Sequence, residues 1–229
     1  MGEDALPALA SHAAGDATKA TNEASDGQTV LQRQLRGGAP RRPTALDAFR
    51  LARRRFLAGE RLEMSALADE LGVNRVTLYR WVGSRDRLLV EILWSVAEHC
   101  LQTNLDQLDE AARAEGNQEK GGRVAELLTR FVRDVLTNSG MSRFLRDEGD
   151  LAMRLLTLGQ GGFQPRFVDL VHRLLAEDVD AGRLATSVPL EDLAFTAVRI
   201  VESYVHLHAI TGEDPDPERA ARVLHALLR

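Results

Sequence analysis

The chain has 229 residues, of which 44% are hydrophobic, so it can bury the core of one large domain or two modest ones. Its net charge of −5 argues against indiscriminate nucleic-acid binding, and its single cysteine excludes an internal disulfide and a cysteine-rich zinc site. No apolar run reaches the roughly 18 residues that span a membrane, and no secretory leader pattern is present, so we expect a cytoplasmic protein without membrane contact.

The positive charge is concentrated in one part of the chain. Between Arg33 and Arg87 there are thirteen arginines and six acidic residues, whereas the remainder is strongly acidic. Such asymmetry is typical of one DNA-facing surface on a body that repels phosphate elsewhere.

Residues 1–43 are rich in Ala, Gly, Ser, Thr and Asp, and they hold too few large apolar groups to offset the entropy of ordering. We therefore expect a disordered tail, which ends on the basic residues Arg36, Arg41 and Arg42. Two interpretations stay open: a solvated leader, which is the commoner case, or an arm that enters a DNA minor groove.

Residues 44–90 predict a three-helix domain. Thr44 is suited to cap a first helix that Gly59 ends. Residues 62–82 then predict two short helices joined by a tight turn. Apolar residues recur there at helical spacing, Gly72 can adopt the left-handed conformation that ends a helix, and Asn74 is a favourable N-cap. This is a helix-turn-helix, whose second helix can lie in the major groove of DNA.

The second of these helices has an inward and an outward face. At about 100° per residue, Leu78 and Val82 fall together and pack against the first helix. The outward residues suit DNA, because arginine bonds guanine, valine and threonine methyl groups contact thymine, and hydroxyl groups bond phosphate. The predicted DNA-binding set is Arg75, Val76, Thr77 and Arg80 for bases, Tyr79, Trp81 and Arg85 for phosphates, and Asn74 as the cap. The alternative is a surface helix with ordinary polar residues.

The same stretch resembles the signature of the TetR family of transcriptional regulators over residues 44–95. The resemblance rests on Leu67-Ala68, Gly72-Val73, Thr77-Leu78-Tyr79, Val82, Ser84, Arg85 and Leu88. The chain departs from the family pattern at Asn74, Val76 and Val82, where serine, alanine or glycine, and phenylalanine are typical. Arg85-Asp86 replaces lysine-glutamate and keeps both charges. The bulk of Val76 is expected to alter base preference.

The rest of the chain predicts helices only, so we expect an all-α fold of about nine helices. A helical ligand-binding and dimerisation domain is expected over residues 91–229. Ser84 caps a helix that continues to about Ala114, roughly 45 Å at 1.5 Å per residue, and so belongs to both domains. Single helices are expected over residues 142–156 and from Pro189 to about Ile210.

The helix that begins at Pro189 is apolar around more than half of its circumference, which indicates that it is covered on two sides. One side is the chain's own body, and we expect the other to be a second copy, in a four-helix interface that includes the last helix. The predicted dimerisation residues are Val198, Val201, Val205, Val223, Leu224 and Leu227. The alternative is that these residues are simply core.

The helical body also suits a small apolar ligand, because cavities between helices commonly bind such molecules. The predicted ligand-binding residues are Trp94, Cys100, Phe131, Phe163, Phe167, Arg199 and Glu202. For each aromatic ring, plain core packing is the commoner role, and an ordinary salt bridge is the simpler interpretation of Arg199 and Glu202.

We predict no catalytic residues, no metal site and no cofactor, because no constellation with diagnostic spacing occurs. His206 and His208 are two residues apart on a helix and point in different directions, so they cannot share a metal ion.

A second resemblance lies near the C-terminus. The segment from Ala194 to Tyr204, followed by Ile210-Thr211-Gly212 and Pro215-Asp216, resembles the corresponding helix of QsdR-type TetR regulators. Those regulators control a lactonase that degrades acyl-homoserine-lactone signals. The resemblance implies a lactone or fatty-acyl effector.

These patterns predict a homodimeric repressor that a small apolar effector releases from a palindromic operator in double-stranded DNA. One alternative is a helical small-molecule or lipid-binding protein without DNA readout. Another is an all-α enzyme, for which turnover of a candidate lactone is the test.

Overall fold

The computed structural model describes residues 42–115 and 122–229. The predicted tail, with Arg36 and Arg41, therefore lies almost wholly outside the described residues. Those residues form eleven α-helices and one short 3₁₀ turn, with no strand among them. The predicted all-α fold is confirmed. None of the helices in these two ranges is long and apolar enough to cross a membrane.

The first three helices form the helix-turn-helix unit, with ends set by the residues that the sequence singled out. Helix α1 is Ala45–Leu57, α2 is Met64–Leu71 and α3 is Arg75–Val82. Thr44 and Asp47 form a reciprocal capping box at the start of α1. Gly72 ends α2 in the left-handed conformation, at φ 65°. We call α1 to α3 the head.

Helix α4, Arg85–Glu115, has 31 residues and belongs to the head and to the body that follows. The Ser84 hydroxyl caps it by accepting a hydrogen bond from the Arg87 N–H at 3.2 Å. The helix packs on α1 and α3 of the head and on helices of the body.

The body contains seven further helices. They are α5 (Arg123–Thr137), α6 (Ser139–Asp147), α7 (Gly149–Thr157), α8 (Phe163–Asp180), α9 (Leu190–Val205), α10 (Leu207–Thr211) and α11 (Pro217–Leu227). A 3₁₀ turn, Gly159–Gly161, joins α7 to α8. Helix α5 lies at the centre, because it packs on α4, α8, α9 and α11.

Two predicted helices are broken in the structure, which explains eleven helices where about nine were expected. The predicted helix over residues 142–156 divides at Glu148, whose φ of −129° and ψ of 39° are not helical. The predicted helix from Pro189 to Ile210 divides at His206, at φ −97° and ψ 14°. The break at Glu148 directly precedes Gly149, a local signal that the helical periodicity had outweighed, whereas no proline or glycine adjoins His206.

Candidate functional site

Helix α3 is fixed in the head by its cap and by one buried side chain. The Asn74 side-chain oxygen accepts a hydrogen bond from the Thr77 N–H at 2.7 Å. Leu78 is fully buried, and α3 packs on both α1 and α2. With Leu78 held inward, the opposite side of α3 faces outward.

The outward side of α3 carries most of the predicted DNA-binding residues. Arg75, Val76, Tyr79 and Arg80 are exposed, and Val76 retains 77% of its accessible surface. Among the described residues, neither Arg75 nor Arg80 forms an ion pair, so both guanidinium groups are free to bond an acceptor. Thr77 is half-buried.

Trp81 and Arg85 are placed differently from the rest of the predicted set. Trp81 is half-buried and packs against the core. Arg85 Nε donates to the Leu62 carbonyl oxygen at 2.8 Å, and its Nη2 lies 2.8 and 2.7 Å from the two carboxylate oxygens of Glu148. The predicted phosphate contact from Arg85 does not fit this placement, because its guanidinium group is engaged inside the protein. Arg85 instead ties the head to the break between α6 and α7.

A second contact joins head and body at Gly140 in α6. A Cβ atom at this position would lie 2.2 Å from the carbonyl oxygen of Phe56 in α1. The two backbones can approach so closely only because residue 140 has no side chain. Beside this contact, the rings of Phe56 and Phe144 pack edge to face, with centroids 5.6 Å apart. Helix α6 therefore presses directly on α1.

The body holds a small cavity of about 30 Å³ between α5, α6, α7, α8 and α9. Four of the predicted ligand-binding residues, Phe131, Phe163, Phe167 and Glu202, line it together. His206, which terminates α9, lines it as well, and sequence reasoning assigned it no role beyond excluding a metal pair with His208. The available signal was its position one helical turn after Glu202 on a strongly apolar helix.

Three predicted ligand-binding residues do not line this cavity. Trp94 packs behind Phe163, with ring centroids 5.8 Å apart. Cys100 lies elsewhere, where its Sγ donates to an Asp134 carboxylate oxygen at 3.2 Å. Burial, reinforced by Asp134, raises the pKa of the Cys100 thiol to about 12. Arg199 lies outside the cavity and contacts Glu202.

Glu202 is a buried carboxylate with few compensating interactions. Only 9% of the residue is exposed, and neither carboxylate oxygen accepts a hydrogen bond from the described residues. Arg199 Nη2 lies 3.1 Å from Oε2, but its aligned hydrogen bond goes to the Thr157 carbonyl oxygen at 2.8 Å. Burial raises the pKa of Glu202 to about 7, against the opposing charge of Arg199.

His206 is the second polar group of the cavity. It is buried, and its Nε2 atom has no hydrogen-bond partner among the described residues. Burial lowers the pKa of the imidazole, so the ring is neutral at neutral pH. No three His, Cys, Asp or Glu side chains in the described ranges are grouped to hold a metal ion.

The predicted dimerisation residues need correction. Val198, Val201, Val205 and Leu224 are buried within the single chain, so a partner cannot touch them. They face inward because α9 packs against α5, α8 and α11. Val223 is exposed and Leu227 is half-buried.

Other apolar residues of the last two long helices retain accessible surface. In α9, Phe195 retains 49% of its accessible surface, and Ile200 and Tyr204 are half-buried. In α11, Val223 retains 40%. We call Phe195, Ile200, Tyr204 and Val223 the outer patch.

Comparison with known proteins agrees with this architecture. Residues 121–229 match the family model described as "Tetracyclin repressor-like, C-terminal domain". The structure is similar to that of the transcriptional repressor QsdR of the TetR family from R. erythropolis, with a TM-score of 0.68 and 27% sequence identity. That match covers 80% of this chain and 93% of QsdR.

A more distant solved structure is that of the multidrug binding protein EbrR in complex with imidazole, with a TM-score of 0.49 and 20% identity. It covers 83% of this chain and 96% of EbrR. None of the curated proteins compared with the chain matches it.

The head and the body are thus similar to the same kind of protein. The helix-turn-helix lies at the start of the described chain, the tetracycline repressor-like domain follows it, and the likeness to QsdR extends over both. Regulators with this architecture are non-enzymatic DNA-binding proteins. Residues 121–229 thus resemble a tetracycline repressor-like domain, and the chain as a whole is similar to a transcriptional repressor of the TetR family.

Proposed function

We propose that this protein is a repressor that binds a palindromic operator as a homodimer and is released when a small apolar effector enters the cavity of the body. The observation that carries the proposal is the outward face of α3. Val76 and Arg80 are exposed there, across the helix from the fully buried Leu78, and Arg75 is exposed at the start of the helix.

In the proposed complex, α3 lies in the major groove. Arg75 and Arg80 bond guanine edges, Val76 and Thr77 contact thymine methyl groups, and Tyr79 bonds a phosphate. Trp81 remains a candidate for a phosphate contact through its indole N–H. Arg85 holds the head in position and is no longer part of the phosphate-binding set.

Dimerisation is proposed through the outer patch. Its four apolar side chains lie on the two helices that a second copy would cover, and they replace the buried valines of the sequence-based prediction. Two heads placed roughly 34–36 Å apart would read successive major grooves on one side of the DNA, which is why we expect a palindrome.

The route from cavity to head runs through α6 and α7. Met141 lines the cavity, and the residue before it, Gly140, abuts the Phe56 carbonyl of α1. Glu148, between α6 and α7, holds Arg85. A volume of about 30 Å³ accommodates little more than one water molecule, so a larger ligand has to displace a wall. Displacement of α6 or α7 would move the head.

The proposed effector class is a lactone or fatty-acyl compound in the cytoplasm. The predominantly apolar lining of the cavity supports an apolar effector. The cavity has two polar side chains at one place and apolar side chains around the rest, which suits a molecule with one polar end.

Selection from random double-stranded DNA tests the proposal. The purified full chain should enrich a palindrome and bind it with an affinity that falls as salt rises, because phosphate contacts release counterions. Analytical ultracentrifugation should show a dimer that the substitution Phe195→Asp shifts toward monomer. Ligand binding without any sequence-selective, salt-dependent DNA binding would instead indicate a helical small-molecule carrier.

A further inference from the structure

The polar lining of the cavity consists of two side chains only, Glu202 and His206, within a wall of aliphatic and aromatic groups. Both carboxylate oxygens of Glu202 and the Nε2 atom of His206 are buried without a hydrogen-bond partner in the described residues. Buried polar atoms nearly always have a partner, because an unsatisfied one costs free energy. Three such atoms around one cavity point to a ligand that supplies the hydrogen-bond partners they lack.

The missing group is a hydrogen-bond donor. A carboxylate only accepts hydrogen bonds, so the two oxygens of Glu202 set the chemistry of what faces them. Arg199 does not line the cavity, and although its Nη2 atom lies 3.1 Å from Oε2, that contact is not an aligned hydrogen bond and leaves both oxygens without a donor. His206 is neutral, so its imidazole adds no positive charge that would attract an anion.

We propose that the cavity recognises an apolar molecule by a nitrogen-borne donor, an amide N–H or an amine, which Glu202 accepts. The inference rests on the proposed function and narrows its effector to those fatty-acyl or related compounds that carry an N–H group. A free fatty acid is disfavoured, because its carboxylate would face the carboxylate of Glu202. A simple ester or lactone leaves both oxygens of Glu202 without a donor.

The connection between α7 and α8 lies at one wall of the cavity. Leu156 and Phe163 line the cavity on either side of the Gly159–Gly161 turn. The hydrogen bond from Arg199 to the carbonyl oxygen of Thr157 holds the end of α7, just before this turn, to α9. Arg199 also approaches Glu202, so a donor that binds Glu202 competes with the Arg199–Glu202 contact and leaves the bond to Thr157 in place.

Matched ten-carbon compounds test the donor. Isothermal titration of the wild-type protein at pH 8, above the Glu202 pKa of about 7, compares N-methyldecanamide with N,N-dimethyldecanamide, methyl decanoate and decanoate. Only the first has an N–H group. We expect it to bind at least about tenfold more tightly than the other three, as for a hydrogen bond to a charged acceptor. Decylamine distinguishes an amine donor from an amide donor. If decylamine binds more tightly than N-methyldecanamide, the preferred donor is an amine.

Variants assign the effect to Glu202. Glu202→Leu should reduce the ratio between the two amides to about one, whereas Glu191→Leu, at an exposed acidic position of α9, should leave the ratio unchanged. Glu202→Gln keeps an acceptor and loses the charge, so it should retain amide binding and lose any preference for decylamine. Circular dichroism checks that each variant folds. If Glu202→Leu does not fold, the binding of decylamine to Glu202→Gln serves as the test.

Three results overturn the proposal: equal binding of the two amides to the wild type, an N–H preference that survives Glu202→Leu, or no binding of either N–H compound. These titrations use the protein alone. A retained N–H preference without operator binding would overturn the proposed repressor function, whereas operator binding without the preference would overturn only this inference.

Discussion

Arg85 and Glu148 join the head to the body through a short ion pair between residues 63 positions apart in the chain. The Nη2 atom of Arg85 lies 2.8 and 2.7 Å from the two carboxylate oxygens, and both side chains are largely shielded from water. Glu148 stands at the break between α6 and α7, so any movement of these helices acts directly on the first turn of α4.

We expect a measurable coupling energy between these two residues. A double-mutant cycle of Arg85→Ala and Glu148→Ala, followed by denaturant unfolding, should give a coupling of about 1–2 kcal/mol, because the residues are in direct contact and poorly solvated. The pair Arg143 and Asp147 is the matched control, since it is similar in distance but more than half exposed. Its cycle should give about 0.5 kcal/mol or less. Equal coupling in the two cycles would contradict the assigned role of Arg85.

Gly140→Ala should disrupt the contact between α6 and α1. The new Cβ atom would meet the Phe56 carbonyl oxygen at 2.2 Å, so the helices have to separate. We expect a loss of about 1–3 kcal/mol in the free energy of unfolding, as for an overpacked core, and a weaker operator complex.

Gly149→Ala is the control for this substitution. Gly149 is also helical, but a Cβ there has no neighbour within 4 Å. Its replacement should be neutral or stabilise the protein by up to about 1 kcal/mol, because alanine favours the helix. Equal effects of the two substitutions would show that the close approach of α6 to α1 does not matter.

The raised pKa of Glu202 predicts a pH dependence of stability. A carboxyl group with a folded-state pKa of about 7, against 4.5 ordinarily, stabilises the fold fully only below 4.5, and this contribution is lost as pH rises through 7. Glu202→Gln removes the titration. Relative to the wild type, the variant should therefore gain up to about 3 kcal/mol between pH 4.5 and pH 8.

Denaturant unfolding of both proteins at pH 4.5, 6 and 8 measures this difference. The depressed pKa of His206 destabilises both proteins alike at low pH, so it cancels in the comparison. The charge of Arg199 limits the size of the effect, because it lowers the pKa of Glu202 while burial raises it. A constant difference across the three pH values would show that Glu202 titrates at its ordinary pKa.

On the DNA side, Arg75→Ala and Arg80→Ala should each weaken operator binding by about 1–3 kcal/mol and relax the preference at the base pair that is contacted. Fluorescence anisotropy with the selected palindrome and single-base variants measures both effects. Arg113→Ala is the control, since Arg113 is exposed near the far end of α4. If both variants bind the operator with wild-type affinity, these two residues of α3 do not contact the bases.

The sequence by itself determined the helices of the head and their ends. The Thr44 capping box, the left-handed Gly72 and the Asn74 cap all act within three or four residues, so their patterns can be read from the chain directly. The same periodicity predicted the long α4 and the inward Leu78. These features were enough to predict the all-α fold and the exposed face of α3.

Only the tertiary structure decided which partners distant residues meet. Helix α9 is apolar on more than one side, and periodicity does not say which side faces the core, so Val198 and Val201 were assigned to a surface on which they do not lie. Arg85 was assigned to DNA because no local pattern connects it to Glu148. The cavity with Glu202 and His206 likewise forms only when five helices pack around it, because burial and pairing depend on long-range contacts that local sequence patterns do not encode.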